Sequence, residues 1–299
     1  MWGMIGKAGF LGGLMLYLLA PMGGDDSRRL VHPFFDGLPV DGQWVAAHRG
    51  GKHLWPENTL FAFERALERG AHMLEMDIRL SADGVPVVIH DETVDRTTDG
   101  FGRVREFTFQ ELRRFDAAYD WSGRDEPHHN PYRGSGFVIP SLDEVFHAFP
   151  EARIVVEIKE ACTDLIEAVG ELIEKYQRHN VTMVASFYTP VLKKFRAGYP
   201  DVATSAGRSE VFRFWLAEKL FLKGAVKPDY VAIQVPERFR GIHLVTPGFI
   251  EAARQRQLSL HVWTVNDTND ITRLFQSGVD MVITDVPDYA LDMITRLVD

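Results

Sequence analysis

The sequence predicts an α/β fold, a (β/α)8 TIM barrel with one insertion in an early βα loop and an N-terminal hydrophobic segment. Three observations carry that expectation. Eight short aliphatic or β-branched runs alternate with helix-compatible stretches from Gln43 onward, the order of βα units around a parallel sheet. The runs are apolar along most of their length, as strands buried on both faces are. The chain has 299 residues, and the portion from Gln43 to the C-terminus is close to the ~250 residues of a single closed barrel. An open doubly wound sheet is the alternative for the same alternation. The expected organisation is an anchor and linker over residues 1–42 and one barrel over 43–299.

The first strand is WVAAH at 44–48, an aromatic and β-branched start that ends on His48. HMLEMDI at 72–78 is the second, then RIVVEI at 153–158, VTMVASF at 181–187, DVATSA at 201–206, DYVAIQV at 229–235, LSLHVWTV at 258–265 and DMVITD at 280–285. Between the first two strands, TLFAFERALERGA opens on Thr59 as an N-cap and closes near Gly70. The stretches from Thr163, Thr246 and Asp267 have the same construction, an oxygen-bearing first residue followed by apolar positions at helical spacing. One interval breaks the rhythm. From about 93 to 140 the chain is rich in Gly, Pro, Arg and aromatic residues and is too long for a simple connection, so it reads as an insertion over the barrel mouth, with a short helix near 108–116. A further helix is expected in SLDEVFHAFP. The adjacent His128 and His129 read as solvated rather than as a metal site.

Hydrophobic residues make up 45% of the chain and charged residues 25%, a balance that excludes disorder and a polytopic membrane protein. Lys and Arg number 33 against 42 Asp and Glu, a formal charge of −9 with no Lys/Arg-dense face evident, so nucleic acid is not an expected partner. The one cysteine, Cys162, can form no internal disulfide and reads as a small residue packed between a strand and a helix. Residues 8–22 form an uncharged apolar run, preceded by Lys7 and a further apolar stretch. Counted from Trp2 it reaches the ~20 residues of a spanning helix, and the leading expectation is a single uncleaved membrane anchor. A cleaved signal, giving a secreted or periplasmic protein, and a helix packed on the domain are the alternatives. Leu18 and Ala20 stand where a cleavage site wants small residues, and Pro21 comes next, which argues against cleavage. Lys7 on one side is balanced by Arg28 and Arg29 on the other, so the positive-inside rule assigns no orientation.

In a barrel of this kind the chemistry belongs at the C-terminal ends of the strands. His48 and Arg49 end the first, Glu75 and Asp77 the second, and Glu157 and Lys159 the third. Glu75 and Asp77 are two apart, so both side chains leave the same face of a strand, and Glu157 supplies a third carboxylate from the neighbouring one. Such a cluster suits a hard cation, Mg2+ or Ca2+; pairing with Arg79 or Lys159 as salt bridges is the competing account. His48 and His90 each end a strand-like run and suit opposite proton roles, with Asp91 placed to orient a ring. Arg49 and Lys159 offer positive charge to a phosphate.

HRG at 48–50, PENTLFAF at 56–63, LEMDIRLSADGVPVVIHDETVDRTTDG at 74–100, VEIK at 156–159, VWTVN at 262–266 and ITDVP at 283–287 together resemble the glycerophosphodiester phosphodiesterases. The resemblance implies a barrel that hydrolyses phosphodiesters with a divalent cation. It implies further that Glu75, Asp77 and Glu157 are ligands, that His48 and His90 are the acid/base pair, that Arg49 and Lys159 contact phosphate, and that Glu57 and Asn58 brace the site. The expected reaction releases an alcohol and glycerol 3-phosphate, after attack by water or by a neighbouring substrate hydroxyl. The segments AAYDW, YRGSGFVIPSLDEVF and IQVPERF are more similar to the membrane-associated, lysophospholipase D-like branch, which would add a lysophospholipid substrate and place Phe101, Phe107, Trp121 and Tyr132 along an acyl path. A membrane-anchored binding barrel without catalysis is the reading from another class, and the intact histidines and carboxylates argue against it. Gln234, Trp263 and Asn266 end later strands, where they touch substrate or pack the rim.

Overall fold

The computed structural model describes residues 30, 32–39, 42–123, 129–222 and 226–298. Eight parallel strands form its centre: β1 Trp44–His48, β2 Met73–Leu80, β3 Ile154–Ile158, β4 Thr182–Ala185, β5 Ala203–Thr204, β6 Ala232–Pro236, β7 Ser259–Trp263 and β8 Met281–Thr284. Each pairs with its neighbours in sequence order, and β8 returns to β1 with Ala47 opposite Thr284. The ring closes between β5 and β6 through a narrow seam, a single Ser205–Ala232 bridge with the Ala206 amide donating to the Ala232 carbonyl at 2.8 Å. The expected strand at 201–206 is reduced to Ala203–Thr204, the two residues that form a ladder with β4, opposite Met183 and Val184.

Helices α1 Leu60–Glu68, α2 Phe109–Leu112, α3 Leu142–Ala148, α4 Thr163–Lys175, α5 Thr189–Gly198, α6 Arg208–Lys219, α7 Pro247–Arg254, α8 Thr268–Gln276 and α9 Pro287–Val298 complete the chain, with α2 in the insertion and the rest around the barrel. Thr59 caps α1 by accepting from the Ala62 amide at 3.1 Å, and Thr246 and Asp267 cap α7 and α8 in the same way. Thr163 does not cap α4; it is the first helical residue, and Cys162 occupies the cap position without a side-chain bond. The short helix near 108–116 is one turn, held by a reciprocal pair of bonds between Thr108 and Glu111.

Alternation along the strands separates two sets of side chains. Val45, Leu74, Val156 and Leu260 face the helices, whereas Ala46, Met73, Val155, Met183 and Met281 fill the interior. The floor of the interior comes from outside the strands. Phe34 and Phe35 of the turn Pro33–Phe35 are buried there, with Phe35 stacked on Trp44 at 5.6 Å and Arg153 Nε donating to the Phe34 carbonyl at 2.9 Å. The barrel therefore takes in residues that a boundary at Gln43 assigns to a linker. The apolar run at 8–22 and His128 lie outside the described residues, and no helix among the described residues is long and apolar enough to cross a membrane.

The second strand runs past the expected end to Leu80, so Glu75 and Asp77 sit in mid-strand. Its last residues pair antiparallel with Pro86–Val88, and this hairpin turns the chain back so that Ile89 bonds the Asp77 carbonyl and His90 returns toward the carboxylates. The insertion beyond it has its own small core of Val87, Val94, Val104, Leu112 and Ile139. Most of its aromatic residues pack it down. Tyr132 contacts Trp121, Phe61 and Phe137, Phe107 meets Phe115 edge-on, and Phe101 points to solvent. Of the expected acyl path, Phe101, Phe107 and Tyr132 line no cavity among the described residues, whereas Trp121 lines a second cavity of about 260 Å3 with Lys52, His53, Glu57 and Arg96, and none of the four lines the cavity of His48 and His90.

Candidate active site

The turn after β1 builds one side of the site. Arg49, Gly50 and Gly51 all adopt left-handed φ angles of 53°, 83° and 92°, and a Cβ on Gly50 would fall 2.7 Å from that of Ala62, so only glycine fits. This tight reversal lets the Arg49 amide donate to Glu75 Oε2 at 3.1 Å while its guanidinium lies 3.1 Å from Asp77 Oδ2 and donates to Glu57 at 2.9 Å. Asn58, also left-handed at 57°, donates to Asp77 Oδ2 at 3.1 Å. A buried carboxylate is tolerated only when so surrounded.

Strand register gathers the three carboxylates. Asp77 stands opposite Glu157 and Glu75 opposite His48, and one oxygen from each of Glu75, Asp77 and Glu157 lies within 4.8 Å of the others. Lys159 Nζ sits 2.8 Å from Asp77 and 2.7 Å from Glu157. The cluster is therefore partly paired by Lys159 and Arg49, not by Arg79, which bonds the His90 carbonyl and Glu160 on the far side. Burial, with Asp77 and Glu157 adding to it, pushes the Glu75 carboxyl well above the usual range, and burial also raises that of Glu157. Burial opposes ionisation of Asp77 too, but Lys159 and Arg49 outweigh it and hold that carboxyl well below the usual range.

Both histidines are backed by an aspartate. His48 Nδ1 lies 2.5 Å from Asp285 Oδ1 and His90 Nδ1 2.5 Å from Asp91 Oδ1, which leaves Nε2 of each ring as the nitrogen open to proton transfer. Burial lowers the His48 pKa, against the opposing pull of Asp285. Asp285 is fixed in turn by Asn266, whose amide donates to Oδ2 at 2.8 Å and whose oxygen accepts from the Asp285 amide. Behind His90, Arg96 donates to Asp91 at 2.5 Å and with two nitrogens to Glu57 at 2.8 Å, so His90, Asp91, Arg96, Glu57, Arg49 and Asp77 form one continuous chain of contacts.

A cavity of about 210 Å3 opens at the C-terminal end of the barrel, lined by His48, Arg49, Glu75, His90, Glu157 and Lys159 on one side and by Ser186, Phe187, Gln234 and Trp263 on the other. The expected site residues are thus brought together, with Glu57, Asn58, Asp77 and Asp91 holding them from behind. Gln234 and Trp263 line the cavity, whereas Asn266 braces Asp285. Asp285 and Arg96 are additional members. Asp285 lies 237 residues from His48 in sequence and becomes its neighbour only through ring closure; the signal for Arg96 is its place five residues after Asp91, in the turn between Thr93 and Arg103, which are bridged.

Asp285 makes a direct prediction. Burial alone would raise its pKa, but the His48 bond and the nearby cations lower it from 3.8 to about 2. A carboxylate depressed in the folded state contributes stability that is complete above its unfolded pKa and lost as pH falls through the folded one, here between about pH 4 and pH 2. The contribution is on the order of 2 kcal/mol. Melting the native chain beside Asp285→Asn should show a gap at pH 7 that narrows toward pH 3; a constant gap would refute the assignment.

Two imidazoles, each oriented by an aspartate, beside fixed cations at the mouth of a (β/α)8 barrel are the equipment of an acid–base hydrolase for an anionic substrate. The chain matches the Glycerophosphoryl diester phosphodiesterase family over residues 48–289, and it belongs to that family. It is 31% identical to a glycerophosphodiester phosphodiesterase of Caldanaerobacter subterraneus, over 84% of this chain and 98% of that protein. Among solved structures, the glycerophosphodiester phosphodiesterase of Agrobacterium tumefaciens superposes with a TM-score of 0.67 at 28% identity, covering 83% of this chain and 99% of that one. An Oleispira antarctica phosphodiesterase, solved in complex with the product sn-glycerol-3-phosphate, has the same fold, with a TM-score of 0.70 at 23% identity and coverage of 88% and 99%.

Proposed function

We propose that the protein hydrolyses glycerophosphodiesters of small alcohols to the alcohol and glycerol 3-phosphate with the help of a divalent cation. The observation that carries this reading is the polar end of the cavity, where two backed imidazoles, Arg49, Lys159 and three carboxylates converge in about 210 Å3. This polar concentration of charge suits a compact, charged substrate. The relative from Caldanaerobacter subterraneus carries the same activity in its name. A lysophospholipid substrate loses support from the packing of the insertion aromatics against α1 and against one another.

The donor set fits a cation. Glu157 Oε1 is buried without a hydrogen-bond partner, and burial and like charges hold Glu75 far from easy ionisation. Glu75, Asp77 and Glu157 would be its ligands, and three carboxylate oxygens suit Mg2+ or Ca2+. When bound it would supply Lewis-acid stabilisation of charge gathering on the phosphoryl oxygens. Arg49 and Lys159 bind those oxygens with fixed donors that need no reorganisation as charge develops. One histidine takes at Nε2 the proton of the nucleophile, a water or a neighbouring substrate hydroxyl whose cyclic phosphate water then opens, and the other gives a proton to the departing alkoxide; Asp285 and Asp91 hold both rings in orientation and favour the form with hydrogen on Nδ1.

A comparison of substrates tests the reading. The full chain should turn over glycerophosphocholine with release of glycerol 3-phosphate, with kcat/KM at least ~10-fold above that for lysophosphatidylcholine, a factor that corresponds to ~1.4 kcal/mol in transition-state binding. Preference for lysophosphatidylcholine would overturn the substrate assignment, and turnover of neither would overturn the catalytic one.

A further inference from the structure

Large apolar side chains left exposed among the described residues concentrate in one stretch. Phe187, Tyr188, Phe212, Leu216, Leu220 and Phe221 are all more than a third exposed, with Phe221 at 72%. Phe212, Leu216 and Leu220 succeed one another at intervals of four on and just past α6, so they form a stripe about 12 Å long. Phe214 and Ala217 of the same helix are buried against the barrel. A helix on a water-exposed barrel keeps its apolar face inward and its polar face outward; α6 is apolar on two faces.

The same stretch is basic. Residues 187–227 hold eight Lys and Arg against three Asp and Glu, in a chain whose formal charge is −9. Arg208, Arg213, Lys219 and Lys227 are exposed, while Glu210 is buried against Arg196 at 2.9 Å and Glu218 lies 2.9 Å from Lys219. Arg196 is paired with Glu210 and Asp229 and Lys194 with Glu167, so the basic groups that accompany the stripe are those on α6 itself, Arg208, Arg213 and Lys219, with Lys227 following in the chain.

We propose that the outer flank of α6 is a docking surface for an anionic lipid bilayer, its apolar stripe entering the acyl boundary and its basic residues meeting lipid phosphates. Charge selects this occupant. A second copy of the chain would bring a second basic flank against the first, whereas an anionic bilayer offers both an apolar interior and a complementary surface. The flank reaches the mouth at one end, where Arg208 lies over the Phe187 ring at 5.3 Å and Phe187 lines the cavity.

The experiment uses the full chain with Cys162→Ser and Phe221→Cys, the new thiol carrying an environment-sensitive fluorophore. Vesicles containing phosphatidylglycerol should shift its emission to the blue and brominated acyl chains should quench it. Vesicles of phosphatidylcholine alone should do neither, and the same label at Tyr289→Cys should stay unchanged throughout. Adding Arg213→Gln and Lys227→Gln should raise the lipid needed for half of the shift by about 25-fold, at about fivefold per basic residue. A label at 221 that stays in water while the protein sediments with the anionic vesicles overturns the proposal. So does an unchanged lipid requirement in the double variant, or a label already buried without lipid in a dimer seen by sedimentation equilibrium.

Discussion

His48→Ala or His90→Ala should each lower kcat on glycerophosphocholine by about 10^3-fold, within the 10^2–10^4 that a positioned acid or base contributes. The size of the effect comes from the geometry. Each ring is aligned by an aspartate at 2.5 Å, and no other titratable nitrogen beside the carboxylates is held in the same way among the described residues. Lys52 and His53 approach Asp285 at 3.5 and 3.7 Å, yet they lie on its other oxygen and do not replace the Nδ1 contact. Folding should survive both changes. His90 is partly exposed, and the loss of His48 leaves Asp285 still bonded to Asn266 at 2.8 Å. Steady-state kinetics beside circular dichroism and melting checks this, and full turnover in both variants would remove the histidines from the mechanism.

Removal of divalent cation should abolish turnover reversibly, and Asp77→Asn should make the protein indifferent to the metal. Asp77 is the most connected of the three carboxylates, held by Arg49, Asn58 and Lys159. Its amide analogue keeps the volume and loses the charge. The readout need not be activity. Mg2+ or Ca2+ at ~100 times its dissociation constant should stabilise the native chain by about 2.7 kcal/mol and leave Asp77→Asn unmoved. An equal shift in both proteins would mean that the ion binds elsewhere. Glu157→Gln should give an intermediate result, since Lys159 then loses one of its two carboxylates and is drawn to Asp77 alone.

The legibility of this molecule in its sequence depends on locality. His48, Glu75, Asp77, Glu157 and Lys159 stand out because each is a polar interruption of an apolar strand, and a two-residue repeat states which of them share a face. Asp91 is legible as the neighbour of His90. Asp285 is not, because its partnership with His48 depends on the last strand lying beside the first, a fact of ring closure with no local signature. The aromatics of the insertion mislead for a related reason. An aromatic that packs a loop and one that lines a cavity read alike until the partner is known, and Tyr132 finds its partners in Phe61 on α1 and Phe137. The floor built by Phe34 and Phe35 escapes notice because it comes after a stretch whose strong hydropathy invites a different reading.

The Arg96 guanidinium spans two separately encoded pieces of chain, gripping Glu57 in the first βα loop and Asp91 in the second. The consequence is one for protein engineering. Loops over a barrel mouth are commonly exchanged between relatives to change what an enzyme accepts, but here the loop to be exchanged carries His90 and its aspartate, clamped to the loop that carries Arg49. A graft that brings a new sequence over 81–140 without a matched acid at 57 and base at 96 would transplant specificity into a barrel in which His90 and Arg49 no longer align.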